Sequence, residues 1–291
     1  MMATEYYIFT GEKRVPDHVT HVIIADALKF VRSFAFQEHP NIQEVICHDG
    51  VLKIGKYAFC DCPSLRRVIM RGVKVVERRA FSECKHLLYI ECGKLEIIGG
   101  AAFYRCGSLN SIDLPSIRVV EEYAFGACKN LTNAKFGKDL KSISNEAFCG
   151  CPSLERIALP LKDRMMAFDD TFQYCEELNH VDLVEGAILD ETIAALLLEE
   201  WKNDMNEEID TISRVLPNTR TGSWNDPGGK AKEIRTWIRS VLHKIIRYKA
   251  EHRRYVNEAA TALHSALPND IVLKNVLPFL ELPSHTFEGE D

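Results

Sequence analysis

The stretch Val51-Leu52-Lys53-Ile54-Gly55-Lys56-Tyr57-Ala58-Phe59-Cys60-Asp61-Cys62-Pro63-Ser64-Leu65-Arg66-Arg67-Val68-Ile69-Met70 decides the fold, because the chain repeats it. Its Ala58-Phe59 pair returns as Ala35-Phe36, Ala80-Phe81, Ala102-Phe103, Ala124-Phe125, Ala147-Phe148 and, in altered form, Thr171-Phe172. The steps between pairs are 23, 22, 22, 22, 23 and 24 residues. Such a period marks a solenoid, in which each unit buries its apolar face only against its neighbours. Val51/Ile54 superimpose on Val73/Val76, Leu95/Ile98, Ile117/Val120 and Leu140/Ile143. Leu65/Val68/Met70 superimpose on Leu87/Ile90/Cys92, Leu109/Ile112/Leu114, Leu131/Ala134/Phe136, Leu154/Ile157/Leu159 and Leu178/Val181/Leu183. The last step of two predicts a short strand with one buried face.

The repeat also sorts the ten cysteines. Cys62, Cys84, Cys106, Cys128, Cys151 and Cys175 stand three residues after the Phe of their coil, and His39 takes that place in the first coil. Stacked coils bring such positions to about one strand spacing, ~4.8 Å, so these thiols are predicted to form a buried ladder able to hydrogen-bond loop backbone. Cys47 and Cys92 fall on inward strand positions, and Cys60 and Cys149 on the turn after Phe. Cys60-Asp61-Cys62 and Cys149-Gly150-Cys151 lack zinc-ligand spacing, and one member of each pair already has a ladder place. Reduced thiols are expected, with no metal and no cofactor.

The pattern Ile-x-x-x-Ala-Phe-x-x-Cys-x-x-Leu-x-x-Ile-x-Leu-Pro, with Pro115 and Pro160 as its prolines, resembles the BspA-type leucine-rich repeat over about residues 15–185. The resemblance implies an open, arc-shaped solenoid of short strands and a general role in protein binding or adhesion. Members of the family are often secreted or displayed on cells. Here Met1-Met2-Ala3-Thr4-Glu5-Tyr6 carries no basic-then-apolar leader, and no apolar run approaches the ~20 residues of a membrane helix, so a cytoplasmic protein is expected.

Strand residues pointing away from the core form the candidate binding face. Its members of interest are Arg66, Arg67, Ile69, Leu88, Tyr89, Glu91, Asn110, Asp113 and Lys135. Arg66, Arg67, Ile69, Leu88 and Tyr89 make its most distinctive patch, a mixture of arginine, aromatic and aliphatic side chains of the kind enriched at interface hot spots. No catalytic set emerges. His48-Asp49 are adjacent residues before a turn glycine, the other histidines are scattered, and no phosphate loop or nucleophile elbow is present. A formal net charge of -6 argues against general nucleic-acid binding.

The seventh coil, around Pro160–Phe172, departs from the pattern with Met165, Met166 and Phe168, as a terminal cap would. Beyond Gly186 the period becomes helical. Leu189, Ile193, Leu197, Trp201, Met205, Ile209, Ile212 and Leu216 form one apolar stripe, with Asp190 as the expected N-cap and Pro217 as the stop. Residues 217–229 read as a loop, and a second helix is expected from Lys230 to Leu267, about 57 Å long. Its stripe approaches a coiled-coil seam. The first helix is acidic and the second basic, so an antiparallel hairpin would set acid beside base. Leu267-Pro268-Asn269-Asp270-Ile271-Val272-Leu273-Lys274 through Leu280 looks like the opening helix of an F-box.

The expected fold is therefore an α/β repeat. Residues 1–14 form a tail, and residues 15–185 a leucine-rich-repeat solenoid of short parallel strands with about seven coils. An α-helical region follows, a hairpin over 186–267, with a short helix and tail over 268–291. The expected function is a non-enzymatic scaffold binding a protein partner, with homo-oligomerisation through 230–267 as an option. Two rivals stand beside it: a ubiquitin-ligase substrate adaptor using 267–282, and membrane or nucleic-acid association through the basic helix 230–256.

Overall fold

The computed structural model describes residues 6–12, 14–184, 186–216 and 229–266. Its strands are β1 (Tyr7–Phe9), β2 (His21–Ile24), β3 (Phe30–Val31), β4 (Glu44–Cys47), β5 (Lys53–Ile54), β6 (Arg67–Ile69), β7 (Val75–Val76) and β8 (Tyr89–Glu91). They continue as β9 (Ile97–Ile98), β10 (Ser111–Leu114), β11 (Val119–Val120), β12 (Asn133–Phe136), β13 (Ser142–Ile143), β14 (Arg156–Leu159) and β15 (His180–Leu183). Three helices follow, α1 (Gly186–Ala194), α2 (Glu199–Val215) and α3 (Gly229–Ala266). All strand pairing is parallel. The longer strands stack as β1-β2-β4-β6-β8 and, separately, as β10-β12-β14-β15, while the two-residue strands stack as β3-β5-β7-β9-β11-β13.

The Ala-Phe pair explains why coils of this length close. The Phe N–H of one coil donates to the Ala carbonyl of the next at 2.7–2.8 Å, from Phe36→Ala58 through Phe125→Ala147, so the turn has its own hydrogen-bonded rail. Backbone polar groups that would otherwise be buried without partners are thereby satisfied. The rings stack beneath it. Phe36, Phe59, Phe81, Phe103, Phe125, Phe148 and Phe172 follow one another at centroid separations of 4.7 to 5.6 Å, and Phe9 adds to the near end at 4.6 Å. All are buried.

The ladder thiols also have partners. Each Cys Sγ donates to the Phe carbonyl of the preceding coil, Cys62 to Phe36, Cys84 to Phe59, Cys106 to Phe81, Cys128 to Phe103, Cys151 to Phe125 and Cys175 to Phe148, at 3.0–3.2 Å. His39 fills the first place with its ring: Nε2 lies 3.1 Å from the Pro16 carbonyl, and Nδ1 accepts from the N–H of Ile42 at 3.3 Å. All ten cysteines are free thiols.

The ends depart from the expected boundaries. Residues expected as an N-terminal tail carry β1, which pairs with β2 and buries Phe9; three residues were too short a signal to separate from a tail. At the other end, the single expected helix is two. Between α1 and α2 the chain turns at 195–198, which slips the stripe by one residue: Leu196 is buried, whereas Leu197 is 43% exposed. Spacing of four hid the break, because Ile193, Leu197 and Trp201 keep step across it. Asp190 lies inside α1 and not at its cap, and α2 starts after Leu198 without a side-chain cap.

Contacts between α2 and α3 run in opposite chain order: Trp237 Nε1 donates to Glu208 O at 2.9 Å, Tyr248 Oη to Asp204 Oδ2 at 2.6 Å, and Trp201 lies 5.9 Å from the Tyr255 ring. Of the charges expected to match across the two helices, Lys244 does so, reaching Asp204 and Glu208 at 2.9 and 3.0 Å. Arg235 and Arg239 reach instead to Asp169 and Asp163 of the seventh coil. Lys230 is buried and donates to the carbonyls of Cys175, Glu176 and Leu178 at 2.7–2.8 Å. Helix α3 thus closes the solenoid. The F-box-like segment lies outside the described residues.

Candidate protein-binding face

Alternation along the strands settles which side chains point outward. In β4, β6 and β8, Val45, Val68 and Ile90 share one register line towards the core, so Glu44, Arg67 and Tyr89 form an outward row and Ile46, Ile69 and Glu91 another. Tyr89 is 49% exposed and Leu88, just before it, 54%. Arg66 is exposed beside them. Ile69 is almost covered, at 9%, because Ile46 and Glu91 flank it.

The row is braced by its own polar contacts. Arg67 Nη1 donates to Glu44 Oε1 at 3.0 Å, and its guanidinium carbon lies 5.6 Å from the Tyr89 ring centroid. Tyr6 Oη donates to the other Glu44 oxygen at 2.7 Å. That hydrogen bond to a carboxylate, followed by partial burial, raises the Tyr6 hydroxyl above its usual pKa. Arg71 forms a two-point contact with Glu91 and holds its carboxyl below the usual carboxylate range. These pairs are solvent-exposed and add little stability. Their effect is to fix the directions of Arg67 and Glu91 around two exposed apolar side chains. Tyr6 and Arg71 were missed from sequence because one sits in the supposed tail and the other just beyond the strand pattern.

The other expected residues do not join this patch. The strand sheet lapses between β8 and β10, so Asn110, Asp113 and Lys135 belong with the second sheet. Asn110 is engaged by Thr132, whose Oγ1 donates to its Oδ1 at 2.8 Å. Asp113 and Lys135 are register neighbours and exposed.

His48 serves its turn, with Nε2 3.0 Å from the Leu28 carbonyl and Nδ1 accepting from the Gly50 N–H at 3.0 Å. Burial pushes the half-buried Cys60 and Cys149 thiols up to about 11 and the buried Cys47 and Cys92 thiols to about 12, so these four are protonated at neutral pH. Among the described residues, no group of three or more His, Cys, Asp or Glu is placed to hold a metal, and no helix is long and apolar enough to cross a membrane.

A family model described as the BspA type leucine rich repeat region matches residues 14–119 and 96–194, with six copies. The chain belongs to this family. Among solved structures, the repeat is similar to that of the T. pallidum leucine rich repeat protein, at 23% identity over 58% of this chain and 82% of that one, with a TM-score of 0.47. It is also similar to a leucine-rich repeat protein from Bacteroides ovatus, at 20% identity over 58% of this chain and 56% of that one, with a TM-score of 0.38. At these identities the likeness concerns the fold. No curated protein sequence matches.

Proposed function

We propose that this protein is a non-enzymatic interaction scaffold that holds a protein partner on the outward face of β4, β6 and β8. One observation carries the reading: Leu88 and Tyr89 stand about half exposed on a rigid sheet, with Arg67 braced by Glu44 against the Tyr89 ring. Rigid aromatic and arginine side chains lose little freedom on binding and dominate interface energetics. A repeat of this kind has a broad face and few enclosed sites, which favours a macromolecular partner over a small substrate. The basic helix gives less support to a membrane or nucleic-acid role, since Lys230, Arg235, Arg239 and Lys244 are spent on carbonyls and carboxylates of the protein itself. Oligomerisation through 230–267 would use the part of α3 beyond Tyr255, which runs past the start of α2. The test is affinity purification with mass spectrometry, comparing wild type with Arg66→Glu/Tyr89→Ala. Loss of specific partners is expected; an unchanged set of partners rules out this face.

A further inference from the structure

Superimposing the coils shows where one of them is missing its side chains. Just after each two-residue strand the chain carries Ser33-Phe34, Lys56-Tyr57, Arg78-Arg79, Gly100-Ala101, Glu122-Tyr123 and Asn145-Glu146. The second member of every pair has the same left-handed backbone, with φ of 61°, 56°, 54°, 55°, 54° and 50°. Tyrosine, arginine and glutamate are evidently accommodated there, so nothing in the backbone calls for alanine at 101. Gly100 is equally unconstrained. A Cβ placed on it would come no closer than 3.5 Å to any neighbour, whereas one on Gly99 would come within 2.7 Å of Arg78 N. The closeness of the backbone accounts for Gly99; packing accounts for neither Gly100 nor Ala101.

Their small size opens a groove of about 860 Å³ beside the sheet of two-residue strands, which is separate from the strands of the face described above. Arg78 and Arg79 stand at one end, and their guanidinium groups make no ion pair among the described residues. Glu121 and Glu122 stand beyond the notch, with Glu121 also accepting the Gly100 N–H at 2.8 Å. Tyr104 and Tyr123 meet edge to face at 6.3 Å along its wall, and the 49%-exposed Phe168 lies at the far end. The volume is of the size that holds a peptide side chain or two, and the opposite charges on the two sides of the notch ask for opposite charges in return.

From this groove we infer a second docking site, for an extended peptide segment of a partner protein that carries an acidic residue, an apolar middle and a basic residue. The acid meets Arg78 and Arg79, the apolar side chain fills the notch over Ala101 beside Tyr104, and the base meets Glu122. Arg79 and the Glu122-Tyr123 pair are two coil steps apart, ~10 Å. An extended peptide turns every second side chain to the groove, one per ~6.6 Å, so the acid, the apolar residue and the base fall at i, i+2 and i+4, their side chains leaning inward over the notch, and the recognised pattern is acid-x-apolar-x-base.

A random heptapeptide display library panned on the full chain, and counter-panned on Ala101→Tyr, tests this directly. Tyrosine at 101 fills the notch in a conformation that Tyr57 and Tyr123 already adopt, and an unchanged thermal unfolding curve checks that the variant is folded. Expected is enrichment of acid-x-apolar-x-base peptides on the wild type. Measured by fluorescence polarisation, the consensus peptide should bind Ala101→Tyr and Arg78→Glu/Arg79→Glu at least tenfold more weakly. The arginine variant should regain binding for the peptide whose acid is exchanged for lysine. Tyr89→Ala, on the face described above, should bind as wild type does. The inference is overturned if no peptides enrich, if they bind Ala101→Tyr equally well, or if the exchanged peptide is not preferred by the arginine variant.

Discussion

The middle coils and the helical end are built on opposite principles. Between Phe36 and Phe172 the core contacts recur: the Phe stack, the Phe-to-Ala hydrogen bond and the Cys-to-Phe hydrogen bond each appear in coil after coil. Beyond Gly186 the contacts that seat the helices are individual ones: among the described residues, Lys230 on its three carbonyls, Trp237 on Glu208 and Lys244 between Asp204 and Glu208 have no repeated counterpart. Redundancy makes the middle tolerant of sequence drift on its surface, and so makes any departure in a shared position informative. At the helical end stability is concentrated in a few residues.

The comparison can be broken most forcefully in the middle. Phe103→Ala removes a ring that is 1% exposed and stacked on both sides, at 5.2 and 5.3 Å. A loss of about 3–5 kcal/mol is expected in urea or thermal unfolding. The three tryptophans, Trp201, Trp224 and Trp237, all follow the repeat in sequence, and Trp201 and Trp237 stand on α2 and α3, so tryptophan fluorescence follows these helices and not the coils. If the helical end is seated on the last coil as the contacts indicate, fluorescence and circular dichroism transitions will shift together; separated transitions would show two independent units.

Lys230→Met probes the other side of the comparison. Methionine keeps the length of the side chain but leaves the carbonyls of Cys175, Glu176 and Leu178 without this donor, at a cost of about 2 kcal/mol. The fluorescence and circular dichroism transitions should both move to lower denaturant or temperature. Equal stability of variant and wild type would mean that Lys230 is incidental to the closure.

One rung of the thiol ladder should matter less. Cys106→Ala deletes one buried thiol and its 3.2 Å hydrogen bond to Phe81, and about 1 kcal/mol is expected. A smaller, pH-dependent effect is expected at His39, the ring that stands where later coils have a thiol. Burial lowers its pKa below the usual value of 6.5. Charging it therefore favours the unfolded chain: its contribution is complete above pH 6.5 and is lost as the pH falls through the lower folded value. His39→Cys should flatten the stability profile in that window; an unchanged profile would show that another group titrates there.

Much of the architecture was legible before any coordinates. Five successive coils have the same residues at the same positions, so superposition alone assigned Cys62 through Cys175 to a buried line and Leu88 and Tyr89 to the outside. The candidate face was legible only in part. Glu44, Arg67 and Tyr89 follow from alternation, but no local pattern marks Tyr6 as their partner or separates Asp113 and Lys135 from them. The Gly100-Ala101 gap was also present in the register, visible once the coils are compared column by column.

Sequence was sufficient for the solenoid because each coil's neighbour in space is a near-copy of itself some 22 residues away, so a repeated residue is also a repeated contact. The ends were decided only by tertiary structure. Lys230 meets carbonyls 52 to 55 residues away, and Arg235 meets Asp169 across 66. Such contacts occur once, between segments that share no pattern, and only the packing of α3 on the last coil brings them together.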